Sequence, residues 1–164
     1  MPFSYYDKLS AREKAIYRQS DGVAWITLPA AEGLGPTVEE LKAALAADDR
    51  TAVQRAVAGL CLGITERLAV PPVDVQVLAV RPTLSSAELH GLYTRDGVRR
   101  PRIQVWMRTV HHKRVVAFRT FLRTLLHEVI HHLDYTYLKL ADSYHTEGFF
   151  KRESSLFKQL VEPR

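Results

Sequence analysis

Residues 127–131 read His127-Glu128-Val129-Ile130-His131, two histidines four apart with a glutamate directly after the first. On an α-helix this spacing stacks the histidines one turn apart, about 40° around the axis, so both imidazoles reach one ion. Glu128 is turned about 100° from His127, which sets its carboxylate beside such an ion rather than on it. A general base for a metal-activated water belongs there. The predicted chemistry is hydrolysis at zinc, with His127 and His131 as ligands and Glu128 as the base.

A zinc site that carries a water wants a third protein ligand. His145, Glu147 and Glu153 are the candidates within reach. Ligand preference favours His145, and the short connection Leu140-Ala141-Asp142-Ser143-Tyr144 lets the chain reverse and bring it back over the helix. Asp134 falls on nearly the same helix face as His127 and His131, where it either orients a ligand imidazole or accepts from water or a nearby arginine. His132 is turned away from that face and reads as a surface or packing residue. His111 and His112 lie in the connection before the helix, solvated or touching substrate. Tyr144, beside His145, either packs or donates to an oxyanion.

Residues His127 to Phe150 resemble the active-site region of the SprT-like zinc metallopeptidases. There, two motif histidines and a third histidine bind zinc, and the third opens a short segment with an aromatic residue before a helix. His145-Thr146-Glu147-Gly148-Phe149-Phe150 matches that segment in kind, and two strands feeding the motif helix are similar as well. The resemblance covers the last half of the chain and implies a zincin-like fold and peptide-bond hydrolysis. Thr146 stands where a glycine often follows the third histidine. Cys61, the lone cysteine, leaves no zinc ribbon of the kind many members append. The small gluzincins share fold and helix motif but use a glutamate as third ligand, which keeps Glu147 a candidate.

The elements that must position these residues can be read from periodicity. Ser10-Ala11-Arg12-Glu13 has the form of a capping box for a helix running to Ser20, broken at Asp21-Gly22. Thr37-Val38-Glu39-Glu40 opens further helix, with apolar positions at Val38, Leu41, Leu45, Val53, Val57, Leu60, Ile64 and Leu68. Asp48-Asp49 interrupts it and Pro71-Pro72 ends it. Alternation at Val73, Val75 and Val77 predicts a strand ending near Arg81-Pro82. Leu89 to Arg95 and Arg102 to Thr109 read as two more, joined through Asp96-Gly97. Leu122, Leu126, Ile130, Leu133 and Tyr137 share one side of the motif helix. A last helix begins near Glu147 and carries Phe149, Phe150, Leu156, Phe157 and Leu160. The expectation is a single α+β domain over 1–164: a helical N-terminal region of about 1–70, a small three-stranded sheet, the active-site helix and a C-terminal helix. The zincin-like resemblance implies that the strand Ile103 to Met107, the last before the motif helix, is an edge strand lining the cleft, where an extended peptide substrate would add through main-chain hydrogen bonds.

Composition narrows the partners. Hydrophobic content of 46% and charged content of 25% suit a soluble globular chain. No apolar run is long enough to span a membrane, and no signal peptide is evident, so the expected compartment is the cytoplasm. The net charge of +5 gathers between Arg95 and Arg123, where Asp96 is the lone acid. That stretch is either a solvated basic face or a weak contact for nucleic acid. Two rival functions use the same residues: a zinc hydrolase acting on an ester or small amide, and a non-catalytic domain in which zinc ties the last two helices together.

Overall fold

The computed structural model describes residues 2–80, 91–108 and 114–162. Among these, five α-helices and a small mixed sheet form an α+β architecture. The helices are α1 (Ala11–Asp21), α2 (Gly35–Ala46), α3 (Arg50–Arg67), α4 (Phe118–Thr136) and α5 (Glu147–Val161). The strands are β1 (Asp74–Val80), β2 (Gly91–Thr94) and β3 (Arg102–Arg108). No helix among the described residues is long and apolar enough to cross a membrane.

Local chemistry sets most of the boundaries. Ser10 and Glu13 form the full capping box expected of α1, side chain to backbone in both directions. Helix α2 starts two residues ahead of Thr37, because Pro36 lies in its first turn, where a missing N–H costs nothing. Asp48 takes a left-handed conformation (φ 54°), and the Asp49 side chain then accepts from the Ala52 amide as the N-cap of α3. Helix α4 buries Leu122, Leu126, Ile130 and Leu133 as the periodicity requires, whereas Tyr137 caps the helix and is half exposed.

The sheet order is β1-β3-β2. Strands β2 and β3 are antiparallel, with Gly91 opposite Val105 and Thr94 opposite Arg102, and Gly97 in the connection has φ +79°. Strand β1 pairs in parallel with the other side of β3, from Asp74 opposite Arg102 to Val80 opposite Arg108. This corrects the expected position of Ile103–Met107. It is the middle strand, buried at Ile103, Val105, Trp106 and Met107, and both its edges are occupied. The outer edge of β1 is gripped by α3, since Gln54 donates to the Val75 carbonyl (2.9 Å) and accepts from the Val77 amide (2.7 Å). Leu89, Thr109, Arg81 and Pro82, the expected strand ends, lie outside the described residues.

One hydrophobic core runs through α2, α3, the sheet, α4 and α5, taking in Leu41, Leu60, Val77, Val105, Leu126 and Leu156. Residues 22–28 lie along α5, tied by Ile26 N–H to Ser155 Oγ (3.2 Å) and by Gln159, which bonds the Leu28 amide and the Ile26 carbonyl (both 2.8 Å). The C-terminus of α1 meets the first turn of α5 at Gly148. A Cβ there would stand 2.6 Å from the Ser20 carbonyl oxygen and 2.7 Å from that of Asp21. Both obstacles are backbone and cannot swing aside. Gly148→Ala is therefore expected to lower stability by about 2 kcal/mol through overpacking, measured by denaturant titration against the parent chain.

Candidate metal centre

Helix α4 presents His127 and His131 on one face, and the segment between α4 and α5 returns His145 against them. Their Nε2 atoms converge: His145 Nε2 lies 3.1 Å from that of His127 and 3.0 Å from that of His131. The three residues lie close enough to hold one metal ion, and they form the cluster of that kind among the described residues.

The outer ring nitrogens set the proton positions. Glu153 Oε1 lies 3.0 Å from His127 Nδ1, and a carboxylate can only accept, so Nδ1 carries the proton. His131 Nδ1 lies 2.7 Å from Ser143 Oγ, whose own hydrogen goes to Asp134 Oδ2 at 2.7 Å. The hydroxyl must then accept from His131. Both motif histidines so aim Nε2 lone pairs at the Nε2 of His145, where either a proton on that nitrogen or a shared cation would sit between them. A tetrahedral ion with metal–nitrogen bonds of about 2.0–2.1 Å keeps its nitrogens about 3.3–3.4 Å apart, so the two separations from His145 need to open by only a few tenths of an ångström, and all three ligand nitrogens lie within 4.8 Å of one another. The phenyl ring of Phe149 packs against all three imidazoles, at 4.8 Å from His127 and His131 and 5.0 Å from His145.

Behind the rings is a buried ion pair. Asp134 and Arg152 are both 0% exposed, joined Nη2 to Oδ1 at 3.0 Å. Burial pushes the Asp134 carboxyl above its usual value, with the Arg152 guanidinium and the Ser143 hydroxyl opposing that shift. Arg152 also donates to the carbonyl oxygens of Ser20 and Val23 and to Ser20 Oγ. Asp134 therefore does both things open to it, bracing the His131 ring through Ser143 and accepting from an arginine.

Glu128 is 2% exposed and faces β2, where a Cβ on Gly91 would stand 3.1 Å from its Cγ. The other candidates have different places. Glu153 reaches the outer nitrogen of His127 rather than the cluster, and its second oxygen lies 3.5 Å from Arg123. Glu147, at the start of α5, is bonded to Lys151 at 3.2 Å. His132 is fully buried; its Nε2 lies 2.8 Å from the Pro71 carbonyl and its Nδ1 3.0 Å from the Tyr93 hydroxyl. Burial lowers its pKa against the pull of that carbonyl, so it is a neutral packing residue. Tyr144 packs near Tyr17 and turns its hydroxyl to Glu13 (3.4 Å). His111 and His112 lie outside the described residues.

Much of the basic stretch is used internally. Arg99 and Arg100 pair with Asp96 and Asp74, Arg108 with Asp48, Arg119 with Glu162, and Arg95 lies over the Tyr135 ring. Ser143, Arg152 and Ser20 escaped sequence reading. Arg152 left a signal: it falls between Phe149 and Leu156 on the apolar face of α5, where a charge needs a buried partner. Ser143 and Ser20 left none.

No protein-family model, curated protein or solved structure matches the chain.

Two variants test this arrangement. Ser143→Ala removes the acceptor that orients His131 and is expected to weaken metal binding about tenfold or more, read by chelator competition. Asp134→Ala leaves Arg152 buried without its carboxylate and is expected to cost about 3–5 kcal/mol of stability in the metal-free protein.

Proposed function

We propose that the chain is a zinc-dependent peptidase of zincin-like fold, related to the SprT-like metallopeptidases and acting in the cytoplasm. The observation that carries this reading is the convergence of His127, His131 and His145 with Glu128 buried one residue along the same helix. A structural zinc site closes with four protein ligands and has no need of a carboxylate there. Three histidines and an adjacent glutamate suit a site that keeps one position open. The all-nitrogen donor set favours zinc over magnesium or calcium, which take oxygen ligands.

When bound, zinc would lower the pKa of a water towards about 7 and polarise the substrate carbonyl. The chain's own residues then handle the proton. Glu128 takes it as the water oxygen bonds to the carbonyl carbon, and returns it to the amine nitrogen as the C–N bond breaks. Gly91 supports this role, because its missing side chain leaves room for the Glu128 side chain, whose Cγ would stand 3.1 Å from a Cβ there. The substrate backbone would pair with β2. The β1 edge is already taken by Gln54 and β3 is enclosed, which leaves β2 as the outer strand beside α4 among the described residues. Main-chain pairing of this kind reads little side-chain identity.

The expected results are about one zinc per chain by elemental analysis, and its loss or marked weakening in His145→Ala. Glu128→Gln should keep the metal yet lower peptide hydrolysis at least a hundredfold, followed by mass spectrometry on a library of unstructured peptides. Undiminished hydrolysis in that variant would remove Glu128 from the mechanism.

A further inference from the structure

The third ligand is carried by neither long helix, and what holds it comes from the other end of the chain. Residues 4–8 form a 3-10 turn (Ser4–Lys8) that leads into α1. From this turn Tyr5 donates its hydroxyl hydrogen to the backbone carbonyl of His145 at 2.7 Å. Phe3 meets Phe150 edge-on with centroids 6.3 Å apart, and Phe150 in turn lies 5.9 Å from the His127 ring and 5.8 Å from that of His145. Glu13 accepts from Tyr144, Ser20 Oγ lies 3.0 Å from Thr146 Oγ1, and Asp21 accepts from the Gly148 amide at 3.0 Å. The segment that brings His145 back is thus gripped by the N-terminal turn and α1 at nearly every second residue.

Resting on the metal-centre reading above, we propose that the N-terminal turn is a latch on that centre. Tyr5 is the positioning residue for His145, and docking of the latch and occupancy of the metal strengthen each other. The physical ground is reciprocity: if the docked turn narrows the positions open to His145, it raises metal affinity, and the bound metal must favour the docked turn by the same factor. Burial, with Tyr17 beside it, pushes the Tyr5 hydroxyl up to about 12, so it stays protonated and remains a donor. A factor that peels the turn away would release the metal's third ligand without touching the motif helix.

A built-in control exists. Tyr5 and Tyr6 both pack edge-on against Tyr17, at 5.5 and 5.1 Å, but the Tyr6 hydroxyl accepts from Arg18 on the far side of the turn. Any effect of simply loosening the turn moves both variants alike. The experiment compares Tyr5→Phe with Tyr6→Phe in the full chain, measuring zinc affinity by chelator competition and the thermal midpoint of metal-free protein. Amide exchange at Tyr6 and Leu9, whose N–H groups close the turn onto Phe3 and Tyr6 carbonyls, is read with and without zinc. The latch requires Tyr5→Phe to weaken zinc about three- to tenfold while Tyr6→Phe leaves it within twofold. It also requires zinc to slow exchange at both amides in the parent chain. Equal effects of the two variants on zinc affinity, or exchange indifferent to zinc, overturn it. A parent chain that binds no zinc overturns the metal centre and the latch together, whereas zinc binding without peptide hydrolysis removes the peptidase reading and leaves the latch standing.

Discussion

The buried pair between Asp134 and Arg152 is the constraint on which the rest of the site depends. A helix can align His127 and His131 by spacing alone, but the third imidazole has to be brought back and kept within about 3 Å of both. Arg152 underlies this from α5 by holding together the pieces of chain that flank the returning segment: the end of α4 through Asp134, the end of α1 through Ser20, and the following extended segment through Val23. Two charges without solvent are costly to assemble, and well-packed apolar residues would serve stability as well. What apolar residues could not do is fix direction. The carboxylate that pairs with Arg152 also receives the Ser143 hydroxyl, and so orients a ring whose lone pair must point at a defined place.

The sheet contributes by exclusion. With the outer edge of β1 gripped by a side chain from α3 and β3 enclosed on both sides, β2 is the outer strand beside the motif helix among the described residues. Its first residue is glycine, and the space a side chain would take belongs to Glu128 and Thr124.

The site was legible where it obeys a local period. The five-residue motif, its apolar back face and the capping box of α1 all follow from spacings of three and four residues, and each is found where those spacings put it. His145 was singled out by ligand chemistry and connection length, and the structure brings it close enough to the motif pair for the three to share one metal ion. Thr146 caps α5 by accepting from the Phe149 amide and meets Ser20. The parallel return of β1 was not legible, because hydrophobic alternation reports which face a strand buries and not which neighbour it pairs with. That one gap misplaced Ile103–Met107 at the sheet edge. The role of the N-terminal helices was equally hidden, since each bond they make to the site spans well over a hundred residues.

Those long spans have a consequence for heredity. Asp134, Ser143, Gly148 and Arg152 form one unit with the carbonyls of Ser20 and Val23, in which losing any member leaves another buried without its partner or without room. Such positions cannot drift one at a time. A descendant chain that kept the histidines but lost Arg152 would have to abandon Asp134 as well, and find another way to aim His131. The acid of α4 and the arginine of α5 should therefore be inherited or lost together. With Gly91 and Gly148 they make a longer signature than the five-residue motif by which remote kin of this chain could be recognised.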